Sequence, residues 1–248
     1  MTVADARAAH GVVELRQYAH HPGQRDVLID LFETRFIESQ EAAGMAVLGQ
    51  FRDLDRPDRF VWLRGFTDFE SRAGQLHAFY TSDAWLANRD RANATLIDSD
   101  NVLLLRPAAA GSTFAGSSAP RPPIGASHSS TGLVVATIYS LSGPCESPFA
   151  AFFEKTMRPR LEAAGIEVLA SLITDPRTNN YPRLPVREGE HVFVWFSRFA
   201  SVASHERRSA ALSTSPGWTD VTHELARRWA AATEVLRLQP TARSLLRA

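Results

Sequence analysis

The chain has 248 residues, 44% of them hydrophobic, and its 27 Lys+Arg balance its 27 Asp+Glu to a formal net charge of zero. That length suits two domains of about 100 to 150 residues each, and the balanced charge offers no basic face for nucleic acid or for an anionic membrane. No run of about 18 apolar residues is present and MTVADARAAHG at the start lacks the apolar stretch of a signal peptide, so the chain is expected in the cytoplasm.

The elements read in chain order as one unit made twice. A strand, VVELRQYA at 12–19, runs into a turn at Pro22 and Gly23. A helix over about 24–42 follows, with Leu28, Leu31, Phe32 and Phe36 at the i, i+3, i+4, i+8 spacing of an apolar stripe. Gly44 stands where a helix-terminating glycine belongs. Two strands come next, MAVLGQFRD and RFVWLRGF, then a broken helical region from Phe69 and a last strand, NVLLLRP. The order β-α-β-β-α-β is the ferredoxin-like unit. Residues 108–131 are rich in Ala, Ser, Gly and Pro without periodicity, as a linker should be. The same order then returns: LVVATIYSL at 133–141, a helix over about 147–163 closed by Gly165, IEVLASLIT, HVFVWFSRF, a helical region from Ser201, and TEVLRLQP.

Two offsets, each kept by several landmarks, support the duplication. FVWLRGF at 60–66 and FVWFSRF at 193–199 lie 133 apart, as do Trp85 and Trp218, and Pro107 and Pro240. Upstream the offset is 121: Tyr18 pairs with Tyr139, and Leu28, Leu31, Phe32 and Phe36 with Phe149, Phe152, Phe153 and Met157. The change of offset places 12 extra residues between 175 and 192 in the second copy. The expected domains are therefore 11–107 and 132–241, joined by the linker 108–131.

With ELRQY at 14–18, HPG at 21–23, FYTSDAW at 79–85 and NNYPRLPVREGEHVFVWF at 179–196, the chain resembles the NIPSNAP family of the dimeric α/β-barrel superfamily. The resemblance implies an α+β protein whose two antiparallel sheets pack face to face into a barrel, closed either within one chain or between two. Superfamily relatives include cofactor-free monooxygenases, isomerases, ring-forming enzymes and haem enzymes, so the resemblance implies no single reaction.

Strand alternation divides the first copy into two faces. Val13, Leu15, Val61, Leu63 and Gly65 are small or apolar and are expected to pack on helices. The alternate set, Glu14, Arg16, Tyr18, Phe60, Trp62 and Arg64, is expected to point into the barrel, with Gln50, Arg52 and Arg106 from the other strands. In the second copy the counterparts of Glu14, Arg16, Arg52 and Arg64 are Val135, Thr137, Ile173 and Ser197, leaving Tyr139 and Trp195 on an apolar wall. Buried arginines need anions. Two readings answer that need: a salt-bridge network from Glu14 to Arg16 or Arg64, or a pocket in which arginine holds a carboxylate, enolate or phosphate while Tyr18 or Glu14 handles a proton.

The insertion, within DPRTNNYPRLPVREGEH, is stiffened by prolines and suits either a structural clasp or a lid that brings Asn180, Tyr181, Arg183 and Arg187 to a ligand. The eight histidines show no HExxH spacing, and the lone Cys145 allows neither an intrachain disulfide nor a cysteine-based metal site, so no metal is expected. His77, His205 and His223 could be imagined as haem ligands on availability alone, and no cofactor is expected. The resulting expectation is a homodimer binding a small, partly hydrophobic, anionic ligand between its domains, as a cofactor-independent oxygenase, isomerase or cyclase. The alternative is a non-catalytic scaffold or sensor that binds another protein.

Overall fold

A computed structural model of the protein describes residues 10–115, 120–127 and 131–247; the rest of the expected linker and the first nine residues lie outside them. The described residues form nine strands: β1 (Val12–His20), β2 (Ala46–Asp53), β3 (Arg59–Phe66), β4 (Leu96–Asp98), β5 (Val102–Pro107), β6 (Leu133–Leu141), β7 (Glu167–Thr174), β8 (Val192–Phe199) and β9 (Ala230–Pro240). The four main strands of the first half are ordered β5-β1-β3-β2 and those of the second β9-β6-β8-β7, all antiparallel. Two further antiparallel seams, β2 with β9 and β5 with β7, join the sheets edge to edge. The eight strands thus form a closed barrel within one chain, which satisfies the edges that would otherwise seek a partner. The expected homodimer is therefore not needed to cover these edges.

Both seams are lengthened by irregular chain. After β9, Thr241 N–H donates to Gln50 O at 2.9 Å and Leu246 N–H to Leu48 O at 3.1 Å, continuing the β2 side. After β7, Asp175 N–H reaches Leu104 O and Arg187 N–H reaches Val102 O, both at 2.9 Å, so the insertion is tied along β5.

Helices cover the outside. The helical segment 25–42 contains a π-helical turn at Phe32–Phe36, and 146–163 repeats it at Phe153–Met157. The wide turn is therefore built into the repeat, and such turns recur at functional sites. Gly44 and Gly165 follow these helices with φ of 93° and 72°, a backbone that any Cβ would strain. The helices Phe69–Tyr80 and Val202–Ser213 start at Asp68 and Ser201, whose side chains accept the N–H of Ser71 and Ser204. Among the described residues no helix is long and apolar enough to cross a membrane.

The sequence-based assignment of faces is inverted. Val13, Leu15, Val61 and Leu63 fill the barrel interior with Val134, Ala136, Ile138, Val194, Phe196, Leu236 and Leu238 from the other half. Glu14, Arg16, Tyr18, Phe60, Trp62 and Arg64 lie on the opposite face, between the first sheet and its helices. The physical reason is size. The interior of this eight-stranded barrel is filled by apolar side chains up to the size of phenylalanine, whereas Arg and Trp fit in the layer beneath the helices, where polar partners also reach them.

Candidate functional site

Glu14 on β1 lies directly across from Arg64 on β3, and Arg16 across from Trp62. Glu14 is fully buried. Its Oε2 accepts from Arg16 Nη1 at 2.7 Å and from Arg64 Nη2 at 2.6 Å, while its Oε1 accepts from Arg72 Nε at 2.7 Å. Burial alone would raise the Glu14 carboxyl, but Arg64, Arg16 and Arg72 outweigh it and hold the group well below the usual carboxylate range. Arg72 comes from the helix Phe69–Tyr80, where it shares the inward stripe with Leu76 and Phe79. Three guanidinium groups surround one carboxylate, and all four side chains are buried.

Neutral acceptors relieve this excess of cations. Arg72 Nη1 donates to Asn179 Oδ1 at 3.0 Å and Asn180 Oδ1 at 2.6 Å, both on the second-half insertion. Arg16 Nε donates to the Tyr18 hydroxyl at 2.9 Å. A guanidinium has no acceptor, so the Tyr18 proton must point elsewhere. Burial raises the Tyr18 pKa against the opposing pull of Arg16, keeping the phenol protonated at neutral pH.

Tyr18 opens onto a cavity of about 420 Å³ between the first sheet and its helices. Leu28, Phe32, Phe36 and Gln40 line one side, a single i, i+4 stripe of the helical segment 25–42 that the π-turn keeps facing inward. Trp62 forms the floor with Tyr18, the two rings 5.9 Å apart and edge-on. Phe79, Tyr80 and Trp85 add an aromatic wall, and Tyr181 of the insertion stacks 6.3 Å from Tyr80. The exposed Arg89 and Arg183 also line the cavity, and among the described residues no carboxylate does.

The expected site residues are therefore divided. Tyr18, Trp62, Tyr181 and Arg183 meet at the cavity, while Glu14, Arg16, Arg64 and Asn180 form the network behind it. Gln40 links the two, lining the cavity and accepting from Arg64 Nη1 at 3.2 Å. The others lie elsewhere, and none faces the barrel interior. Gln50 is buried opposite Trp62 on β2, and Arg52 pairs with Asp26 at 2.9 Å near the surface. Arg106 sits half-buried at the β5–β7 seam, and Arg187 is engaged with Glu190 and Asn101. Tyr139 and Trp195 belong to the second half's core beneath its own helices. Arg72 was missed by strand-based reasoning, although a charged residue inside the stripe Arg72, Leu76, Phe79 was its visible signal.

The second half has no counterpart to this chemistry. At the same offsets, Glu14, Arg16, Arg64 and Arg72 become Val135, Thr137, Ser197 and His205, and the cavity-lining Leu28 and Leu96 become Phe149 and Trp229. Those two rings meet edge-on at 5.9 Å, with Phe152 stacked on Trp229 at 6.1 Å. Among the described residues no three His, Cys, Asp or Glu side chains converge as a metal site would require.

Residues 13–111 match the NIPSNAP family model. The first half of this chain is a NIPSNAP domain. No curated protein sequence matches the chain. Solved structures match over nearly its full length. A monooxygenase candidate from Lactobacillus acidophilus is 10% identical with a TM-score of 0.56, covering 92% of this chain and 93% of its own. A second, from Fusobacterium nucleatum, is 10% identical with a TM-score of 0.57, over 95% and 94%. An anthrone oxidase-like protein is 12% identical with a TM-score of 0.51, over 96% and 94%. At such identities the likeness is one of fold: the NIPSNAP domain and its second half together make a two-sheet α/β barrel shared with these proteins.

Proposed function

We propose that this protein binds one small, partly aromatic, anionic molecule in the cavity of its NIPSNAP domain, and that Tyr18 presents its proton to an oxygen of that molecule. The observation that carries the reading is the Arg16 to Tyr18 hydrogen bond: it fixes the phenol oxygen as an acceptor and leaves the O–H as a donor into a cavity walled by aromatic rings. An enolate, phenolate or polarised carbonyl oxygen is the group such a donor suits. If proton transfer follows, Tyr18 gives up its proton, the ligand oxygen takes it, and Arg16 stabilises the phenolate left behind. This is the chemistry of a cofactor-independent oxygenase, isomerase or cyclase. The names of the structural neighbours, monooxygenase candidates and an anthrone oxidase-like protein, are consistent with the first of these.

The packed barrel interior and the closed Glu14 network are what a non-catalytic scaffold would also show. The cavity favours ligand binding over that alternative. Isothermal titration with 2-naphthoate tests the choice. Saturable binding at one site per chain, lost in the double variant Leu28→Phe with Leu96→Trp, supports the pocket; binding that survives this filling of the cavity refutes it. The variant copies the second half's own solution at both positions, so it is expected to fold.

A further inference from the structure

The insertion exists only in the second copy, yet its residues line the first copy's cavity. In the NIPSNAP domain the β2–β3 connection is the short run 54–58, whereas the β7–β8 connection of the second half runs from 175 to 191. Asn179 Oδ1 accepts from Arg72, and also from the Tyr181 N–H at 3.1 Å. Asn179 Nδ2 donates to Leu184 O at 2.8 Å, and Asn180 Nδ2 donates to Phe69 O at 2.7 Å. Arg72 is itself held by Glu14. The insertion is thus fastened to the charged network at its base and delivers Tyr181 and Arg183 to the cavity on a fixed backbone.

Arg183 is exposed and makes no ion pair among the described residues, and Arg89, also in the lining, pairs among them with the exposed Asp90 alone, at 3.4 Å. Among the described lining residues these two guanidinium groups are accompanied by aromatic rings and by no carboxylate. The second half contributes to this site, and at its own positions equivalent to Leu28 and Leu96 it holds Phe149 and Trp229, whose rings meet.

Resting on the ligand-binding reading above, we infer that the second half acts as a built-in specificity element, and that Arg183 with Arg89 selects ligands bearing an anionic group at the end opposite Tyr18. The ligand class is a planar aromatic acid, its ring among Trp62, Tyr80 and Tyr181 and its carboxylate or equivalent anion at the arginines. A guanidinium is suited to such a group because it offers paired donors to paired oxygens.

The test compares 2-naphthoate with the neutral 2-naphthalenemethanol on the full-length protein at low salt. Wild type is expected to favour the acid by about tenfold or more. Arg183→Gln, at an exposed position that leaves the fold intact, is expected to weaken the acid several-fold and leave the alcohol unchanged, and adding Arg89→Gln to abolish the preference. Equal binding of both compounds by wild type, or an unchanged acid affinity in Arg183→Gln, overturns the inference while leaving the pocket standing. Failure of both compounds to bind overturns the pocket and the inference together.

Discussion

Replacing Glu14 with Gln removes the carboxylate that three buried guanidinium groups share. Glu14 receives hydrogen bonds from Arg16 at 2.7 Å, from Arg64 at 2.6 and 3.1 Å and from Arg72 at 2.7 Å. Gln keeps one acceptor oxygen but turns an NH₂ toward a donor, so at least one arginine loses its partner and the enclosed charge rises from +2 to +3. Breaking a buried pair by removing one partner costs about 3 to 5 kcal/mol. For a chain of this size that is a fall in Tm of about 6 to 20 °C. The assay is calorimetric or circular-dichroism melting with urea unfolding at neutral pH. The sign with pH is fixed as well. The Glu14 carboxyl titrates lower folded than its ordinary value of 4.5, so its contribution is complete above that value and drains away as the pH falls below it. Wild type and Glu14→Gln should therefore converge in acid. A loss below about 1 kcal/mol at pH 7, the size of an exposed pair, would refute the reasoning.

Arg64→Ala should be destabilising on the same scale, about 3 to 5 kcal/mol, because Glu14 loses two of its donors and Gln40 one; an unchanged melt would contradict the network. Tyr18→Phe should erase the advantage of 6-hydroxy-2-naphthoate over 2-naphthoate, a loss of about five- to tenfold for one hydrogen bond, read by titration. The same variant leaves Arg16 Nε without its acceptor and should lower stability by about 1 to 3 kcal/mol. His20 is buried and its pKa is pushed down to about 4, chiefly by burial. Its unfolded form takes up a proton near 6.5, so stability should fall as the pH drops from 6.5 toward 4, and His20→Phe should flatten that part of the urea-midpoint profile.

Much of the architecture was legible because the repeat constrains itself. Tyr18 and Tyr139, Trp85 and Trp218, and the stripes headed by Leu28 and Phe149 report one element order twice, and helix stripes and terminating glycines obey local rules. The direction of the faces was not legible. Alternation says that Glu14 and Val13 point apart, but not which side holds the narrow barrel; only the size of the enclosed layer decides, and Gly65 with Val13 and Leu15 was the clue. The site was half legible for a related reason. Tyr18, Trp62 and Arg64 stand out within a strand, but Arg72, Gln40 and Arg89 come from helices whose rotation is set by packing. The meeting of Asn180 with Arg72, 108 residues apart, is a tertiary fact that no spacing carries.

The most direct measurement is a crystal structure of the full chain grown with 6-hydroxy-2-naphthoate at saturating concentration. The expected result is ring density among Trp62, Tyr80 and Tyr181, with the hydroxyl at Tyr18 and the carboxylate toward Arg183. Density inside the barrel, between Leu15 of the first sheet and Ala136 or Ile138 of the second, or an empty cavity in the NIPSNAP domain, would contradict it.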